Sequence, residues 1–251
     1  MVTAITMRTG GVDLAAENTR TALAIISWDD HGAHLERLDV GVSDADIVAA
    51  AEQVDKLGID CAFGWPDDFV AFVRDHADLR HASPPDGGIE WRRRLAYRET
   101  DRVVRSRTGR WPLSVATDRL GLTAMRCAAL LERLSGAGIV VDRSGETGAV
   151  AEVYPGASAR AWRVHVKGYR VDVGARRAVV DAVQRAAPWL SLGDQLPRLI
   201  ASPDALDAVL AALAARAAAL GRSERPDADQ IERARREGWI VLPTGDLAEL
   251  R

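Results

Sequence analysis

Gly10-Gly11-Val12-Asp13-Leu14-Ala15, followed by Asn18-Thr19-Arg20-Thr21-Ala22-Leu23-Ala24-Ile25-Ile26, is the stretch from which the rest of the chain can be read. A short apolar run ends on an acid, a turn of small and polar residues follows, and a second apolar run returns. Two strands joined in this way leave Asp13 at a strand end. Asp29-Asp30-His31-Gly32 makes the next turn, between strands at 22–28 and 33–40. The first 40 residues therefore read as an antiparallel meander of three strands.

Beyond the meander, Ser43 caps a helix whose apolar positions are Ile47, Val48, Ala51, Val54 and Leu57, with Gly58 as its stop. The run Ile59-Asp60-Cys61-Ala62-Phe63 reads as a short buried parallel strand, closed by Gly64-Trp65-Pro66. From there to about residue 135 the period is helical, with segments at 67–76, 91–107 and 118–134 and a Ser-Pro-Pro-Asp-Gly-Gly loop at 83–88. Residues 149–154 return to the sheet. Helices follow at 157–164, 174–187 and 202–220, the last started by Ser202 at the N-cap and Pro203 at N1. A charged segment at 222–237 and an extended one at 238–243 complete the chain. The expected fold is α/β: one domain over 1–251, a mixed central sheet of three antiparallel and further parallel strands, helices on both faces, and a helical insertion at 67–140 after the fourth strand.

Composition limits the function classes. The chain has 251 residues, 47% hydrophobic and 27% charged, with a formal net charge of −3. That is an ordinary globular balance, and its bulk charge does not advertise nucleic acid. Basic residues are nearly all arginine; Lys56 and Lys167 are the only lysines. Cys61 and Cys127 lack metal-ligand spacing and read as buried free thiols in a reducing compartment. Neither a leader pattern nor an apolar run of membrane length is visible, so a cytoplasmic protein is expected.

Four acids fall on separate strand-like and helical elements, from which metal ligands could converge: Asp13, Asp60, Glu152 and Asp207. Mg²⁺ and Mn²⁺ prefer carboxylate oxygens and water, and two such ions about 3.5–4 Å apart can activate a water and stabilise a departing oxygen in phosphodiester hydrolysis. Each acid also has a structural alternative. Asp13 can form a turn, Asp60 can cap backbone groups, and Glu152 can pair with an arginine. Asp204, in the first turn of its helix, suits the helix dipole better than catalysis. Asp207, three residues on, borders an apolar face and needs a partner or a metal.

Residues 91–111 hold eight arginines against two acids, interleaved with Trp91, Tyr97 and Trp111. On one helix, Arg94, Arg98, Arg102 and Arg105 would form a stripe suited to phosphates and bases, or a solvated face paired with acids elsewhere. Arg98, Thr100 and Asp101 are singled out as substrate-binding, with Asp101 pairing with Arg98 or orienting it. On this reading Arg98→Ala weakens substrate binding without unfolding the protein. The five histidines are scattered, and no serine, cysteine or histidine constellation competes with the acids.

Six segments, in order and nearly end to end, resemble the domain-of-unknown-function family 429. They are Gly11-Val12-Asp13-Leu14-Ala15, Ile59-Asp60-Cys61-Ala62-Phe63-Gly64-Trp65-Pro66, Tyr97-Arg98-Glu99-Thr100-Asp101, Glu152-Val153-Tyr154-Pro155, Asp204-Ala205-Leu206-Asp207-Ala208 and Glu237-Gly238-Trp239-Ile240-Val241-Leu242-Pro243. Its members are labelled predicted RNase H-like nucleases. The resemblance implies an RNase H-like fold and a metal site of Asp13, Asp60, Glu152 and Asp207. The last acidic helix is also similar to that of Holliday-junction resolvases. Where the family has a lysine after the aromatic of Gly168-Tyr169, this chain has Arg170, which keeps the charge but cannot transfer a proton.

The leading expectation is a Mg²⁺- or Mn²⁺-dependent nuclease or phosphodiesterase acting on nucleic acid or a small phosphodiester. The first rival is an RNase H-like nucleic-acid- or nucleotide-binding protein without catalysis. The second is an actin-like phosphotransferase, for which the chain is too short and a second phosphate loop is missing.

Overall fold

The computed structural model describes residues 7–80 and 87–251. Strands β1 (Met7–Asp13), β2 (Ala22–Trp28) and β3 (Ala33–Val40) form the expected meander. β4 (Lys56–Asp60) and β5 (Val150–Glu152) add in parallel beyond β1, and the two-residue β6 (Leu190–Ser191) joins the far edge, giving the order β5-β4-β1-β2-β3-β6. The extended segment at 238–243 lies outside β5, where Ile240 bridges Glu152 and Val241 N–H donates to the Glu152 carbonyl at 3.0 Å. The fold is therefore α/β with a mixed six-stranded sheet and, among the described residues, ten α-helices.

Side chains alternate across the sheet with period two. Ala22, Ala24 and Ile26 face one core, and Leu23 and Ile25 face the other. The first core is filled by α7 (Val173–Ala186) and α9 (Pro203–Ala219), the second by α1 (Asp44–Ala51) and α5 (Gly121–Gly136). With both faces covered, all seven residues of β2 are buried. α9 is apolar nearly all round because it lies between the sheet on one side and α6 (Pro155–Ala161) and α8 (Leu196–Ala201) on the other. No helix among the described residues is long and apolar enough to cross a membrane.

Small residues let α9 lie directly on the central strands. A Cβ at Gly11 would overlap the Ala208 carbonyl and the Ala212 amide, and one at Gly58 would come 2.7 Å from the Ala211 carbonyl. Gly11→Ala is thus expected to push helix and sheet apart and to lower stability by about 3 kcal/mol, as read from a urea midpoint. A midpoint unchanged from wild type would mean that α9 rides on the sheet more loosely than this packing requires.

The structure corrects three boundary expectations. The Ser43-capped helix α1 ends at Ala51 rather than at Gly58, because Leu57 and Gly58 are drawn into β4 opposite Gly10 and Gly11. The single helix expected over 91–107 is two helices, α3 (Gly88–Ala96) and α4 (Glu99–Thr108). They are broken at Tyr97 and Arg98, where the Asp101 carboxylate accepts from Arg98 N–H at 2.9 Å. The arginine stripe is broken with it. Neither β6 nor α8 was anticipated, since two and six residues leave too short a pattern. The expected 83–88 loop lies mostly outside the described residues. With α2 (Asp67–Ala77), the helices α3, α4 and α5 fill the interval between β4 and β5, and α10 (Ile231–Glu237) lies in the charged segment.

Candidate functional site

β1 and β4 run in parallel and end in register, with Asp13 opposite Asp60. The chain leaves the sheet on the same side at both ends, and the carboxyl ends of such strands are where open α/β sheets bind ligands. A cavity of about 400 Å³ opens there, with Asp13, Asp60, Glu152, Tyr154 and Arg170 in its wall.

Asp60 is partly buried and, among the described residues, its carboxylate makes no hydrogen bond or ion pair. Burial and then the charge of Asp13 push its carboxyl well above the usual range. Asp13 is buried, and burial raises it to about 7, against the pull of Arg170 and with a further push from Asp204. Two adjacent carboxyls that resist ionisation together form a place where a cation is favoured.

Asp204 and Asp207 occupy one face of the first turns of α9, which Ser202 caps by accepting from Ala205 N–H at 3.1 Å. Both acids meet Arg170, which comes from the loop between α6 and α7. Its guanidinium donates to Asp204 Oδ1 at 3.0 Å and to Asp207 Oδ2, and reaches Asp13 Oδ2 at 3.5 Å. Arg20 holds Asp204 at 2.8 Å, and the Tyr169 hydroxyl donates to Asp207 Oδ1 at 2.7 Å. The helix-dipole reading of Asp204 is thus incomplete, because the side chain belongs to the same ionic group as Asp13 and Asp207. The i,i+3 spacing was the signal for it, while Arg20, Tyr169 and Arg170 left none beyond the Arg170 departure from the family pattern.

Glu152 comes to the same cavity, but its carboxylate turns to Arg98, the salt-bridge alternative. Arg98 spends all five of its N–H donors. Two reach Glu152, Nη1 to Oε2 at 2.9 Å and Nη2 to Oε1 at 2.7 Å. Two reach Asp101, Nε to Oδ2 at 3.3 Å and Nη2 to Oδ1 at 3.0 Å, and Nη1 reaches the Glu237 carbonyl at 3.1 Å. Glu152 also accepts from Phe63 N–H at 2.9 Å. Burial works against the Arg98 charge, and Asp101 and Glu152 more than offset it. The expectation that Arg98 contacts a substrate phosphate is corrected on this geometry: no donor remains for one.

The other residues expected at the substrate are also committed elsewhere. The Thr100 hydroxyl accepts from Ile240 N–H at 2.8 Å, Asp101 is fully buried, and Arg102 pairs with Glu99 at 3.1 Å. Arg94 is exposed on α3 and does not line the cavity. Tyr97-Arg98-Glu99-Thr100-Asp101 is a joint tying α4 to β5 and to the segment after α10.

Cys61 and Cys127 are buried and free, as expected. Cys61 reaches the cavity wall, but its hydrogen bond with Cys127 and its burial keep it a thiol. Among the described residues, no three histidine, cysteine or acidic side chains converge into a metal-ligating cluster. The four-acid shell is not assembled, since Arg98 holds Glu152 and Arg170 with Tyr169 holds Asp207. Asp13 and Asp60 remain. A carboxylate pair fits Mg²⁺ or Mn²⁺ to the extent that Mg²⁺ commonly takes one or two carboxylates and completes its shell with water and substrate phosphate.

Fold and site thus define an α/β protein with a mixed sheet and paired carboxylates at its two central strand ends. The family model described as "Protein of unknown function (DUF429)" matches residues 11–231, and the chain belongs to that family. Searches of curated proteins and of solved structures returned no match.

Proposed function

We propose that this chain is a divalent-metal-dependent phosphodiesterase of RNase H-like type, acting on nucleic acid or a small phosphodiester. The observation that carries the reading is the Asp13–Asp60 pair, with Asp60 unpartnered among the described residues and turned into the cavity. Support for the RNase H-like assignment comes from the antiparallel meander, the parallel strand β4 beside β1, and an acid at the end of each of those two strands.

In this reading Asp13 and Asp60 hold Mg²⁺ or Mn²⁺. The ion, when bound, supplies an activated water and neutralises charge on a phosphate oxygen. Arg170 and Arg20 together balance the charge of Asp204 and Asp207, and Arg170, at 45% exposure, presents its outer face to a substrate phosphate. A second ion would require Arg170 to leave the two α9 acids.

The rival is an RNase H-like binding protein without catalysis. One observation favours it: the guanidinium of Arg170, with that of Arg20, already occupies the acids that a second ion would use. A cleavage panel separates the two readings, using single-stranded, duplex and chromogenic small diesters with Mg²⁺, Mn²⁺ or chelator. Hydrolysis that needs metal and is absent from Asp60→Asn supports the enzyme. Nucleic-acid binding with no hydrolysis under any metal supports the binder.

A further inference from the structure

A second cavity, of about 320 Å³, is lined by Arg110, Arg160, Arg163, His165 and Lys167 and by no carboxylate. Several arginines elsewhere, Arg98, Arg102, Arg107, Arg126 and Arg170 among them, have acidic partners. Among the described residues none of these five basic groups makes an ion pair, and Arg160 Nη1 donates to the Gly156 carbonyl at 3.3 Å. Four permanent cations around one cavity repel one another unless an anion lies between them.

The loop that follows α6 is built to aim them. Val164 is buried in the core and Val166 packs against it, so the alternate residues Arg163, His165 and Lys167 share the outer side. Arg163 has φ 60°, a left-handed conformation that residues other than glycine seldom adopt. Burial and the charges of Arg160 and Arg110 hold the His165 imidazole below its ordinary pKa, so these cations sense one another.

This cavity borders the acid site. The His165 ring stands edge-on to Tyr169 at 5.6 Å, and the Tyr169 hydroxyl holds Asp207. Arg110 precedes Pro112 and Leu113, which line the acid cavity. Tyr154 lies in that wall too, and its ionisation responds both to Asp60 and to Arg160 and Arg110.

We propose that the Arg110–Arg160–Arg163–His165–Lys167 cavity binds a phosphate group of a nucleic-acid strand whose neighbouring phosphodiester faces Asp13 and Asp60. The substrate class rests on the function proposed above; the anion site does not. Arginine suits it because its planar fork matches phosphate oxygens, and such backbone contacts position a strand without reading its sequence.

The test uses the exposed pair Arg163→Gln/Lys167→Gln, checked for native circular dichroism. Binding of a labelled 12-nucleotide single strand is followed by anisotropy in chelator at several salt concentrations, with pyrophosphate titrated by calorimetry alongside. Wild type is expected to bind the strand. The double variant should lose about tenfold or more in affinity, with the salt slope reduced by about 1.4, while Asp60→Asn binds at least as well as wild type. Pyrophosphate binding lost in the double variant, without strand binding, keeps the anion site and replaces the polymer by a small phosphate ligand. Equal strand affinity in wild type and double variant overturns the proposal, and so does the absence of binding by either probe. If binding depends on these residues but no diester is ever cleaved, the anion site stands and the catalytic reading falls.

Discussion

Arg98→Ala is expected to destabilise the protein by about 3–5 kcal/mol, a large part of the roughly 5–15 kcal/mol that holds a domain folded. The variant leaves Asp101 and Glu152, buried to 0% and 2% exposure, facing each other without their cation. Two buried carboxylates must then be protonated or solvated, and either route costs free energy in the folded state. The loss spreads along the joint. Glu237 accepts from Asp67 N–H at 2.8 Å and from Glu99 N–H at 2.9 Å, so α2, α4 and α10 meet beside Arg98. Arg98→Lys should recover only part of the loss, since one ammonium cannot reproduce five donors in a plane. Urea unfolding of wild type and both variants gives the magnitude. A wild-type midpoint for Arg98→Ala, together with weakened ligand binding, would restore the surface role that the sequence alone suggested.

The second large effect is expected at the strand ends. Asp60→Asn should lower diester hydrolysis by on the order of 10³-fold, because it removes one of the two carboxylates that would hold the cation. The same change should stabilise the metal-free protein. The sign follows from burial, which raises the folded-state pKa of Asp60, so ionisation of Asp60 disfavours the fold. That penalty is absent below the unfolded value of about 4 and grows as the pH rises toward the folded value; for its neighbour Asp13 the window closes near 7. Asp60→Asn should therefore melt higher than wild type at pH 8 and equal to it at pH 4, both in chelator. A lower melting temperature at pH 8 would mean that Asp60 makes a stabilising contact, and an active Asp60→Asn would remove it from catalysis. Functional acids that cost stability in this way are common, since a site is tuned to its ligand rather than to the empty fold.

Where an element is defined by local pattern, the sequence was enough to read it. The Asp29–Gly32 turn bounds β2 and β3, and Ser202-Pro203 starts α9 at the observed residue. The pairing of Asp13 with Asp60 was legible only through the RNase H-like resemblance, which sets the first and fourth strands side by side; the fourth strand itself was read at 59–63, whereas β4 is Lys56–Asp60 and Asp60 ends it. What escaped depends on tertiary contacts. Gly58 looked like a helix stop because a glycine that ends a helix and one that admits a helix against a strand read alike in one sequence. The 91–107 run kept a helical period through Arg98, and the break there follows from the capture of Arg98 by Asp101 and Glu152. The rows of arginine in that run drew attention as a surface, yet Arg98, Arg102 and Arg107 are each spent on an acid. The basic cavity collects Arg110 and a loop some fifty residues later; the alternation of Arg163, His165 and Lys167 with Val164 and Val166 was its visible trace.

Calorimetric titration of Mn²⁺ into the wild type and into Asp13→Asn, each with and without a nucleic-acid strand, tests the central claim most directly. Wild type is expected to bind the ion, more tightly with the strand present, while Asp13→Asn shows no binding in either condition. Wild type that takes up no Mn²⁺ even with nucleic acid present would contradict the claim and leave Asp13 and Asp60 as structural acids of a binding protein.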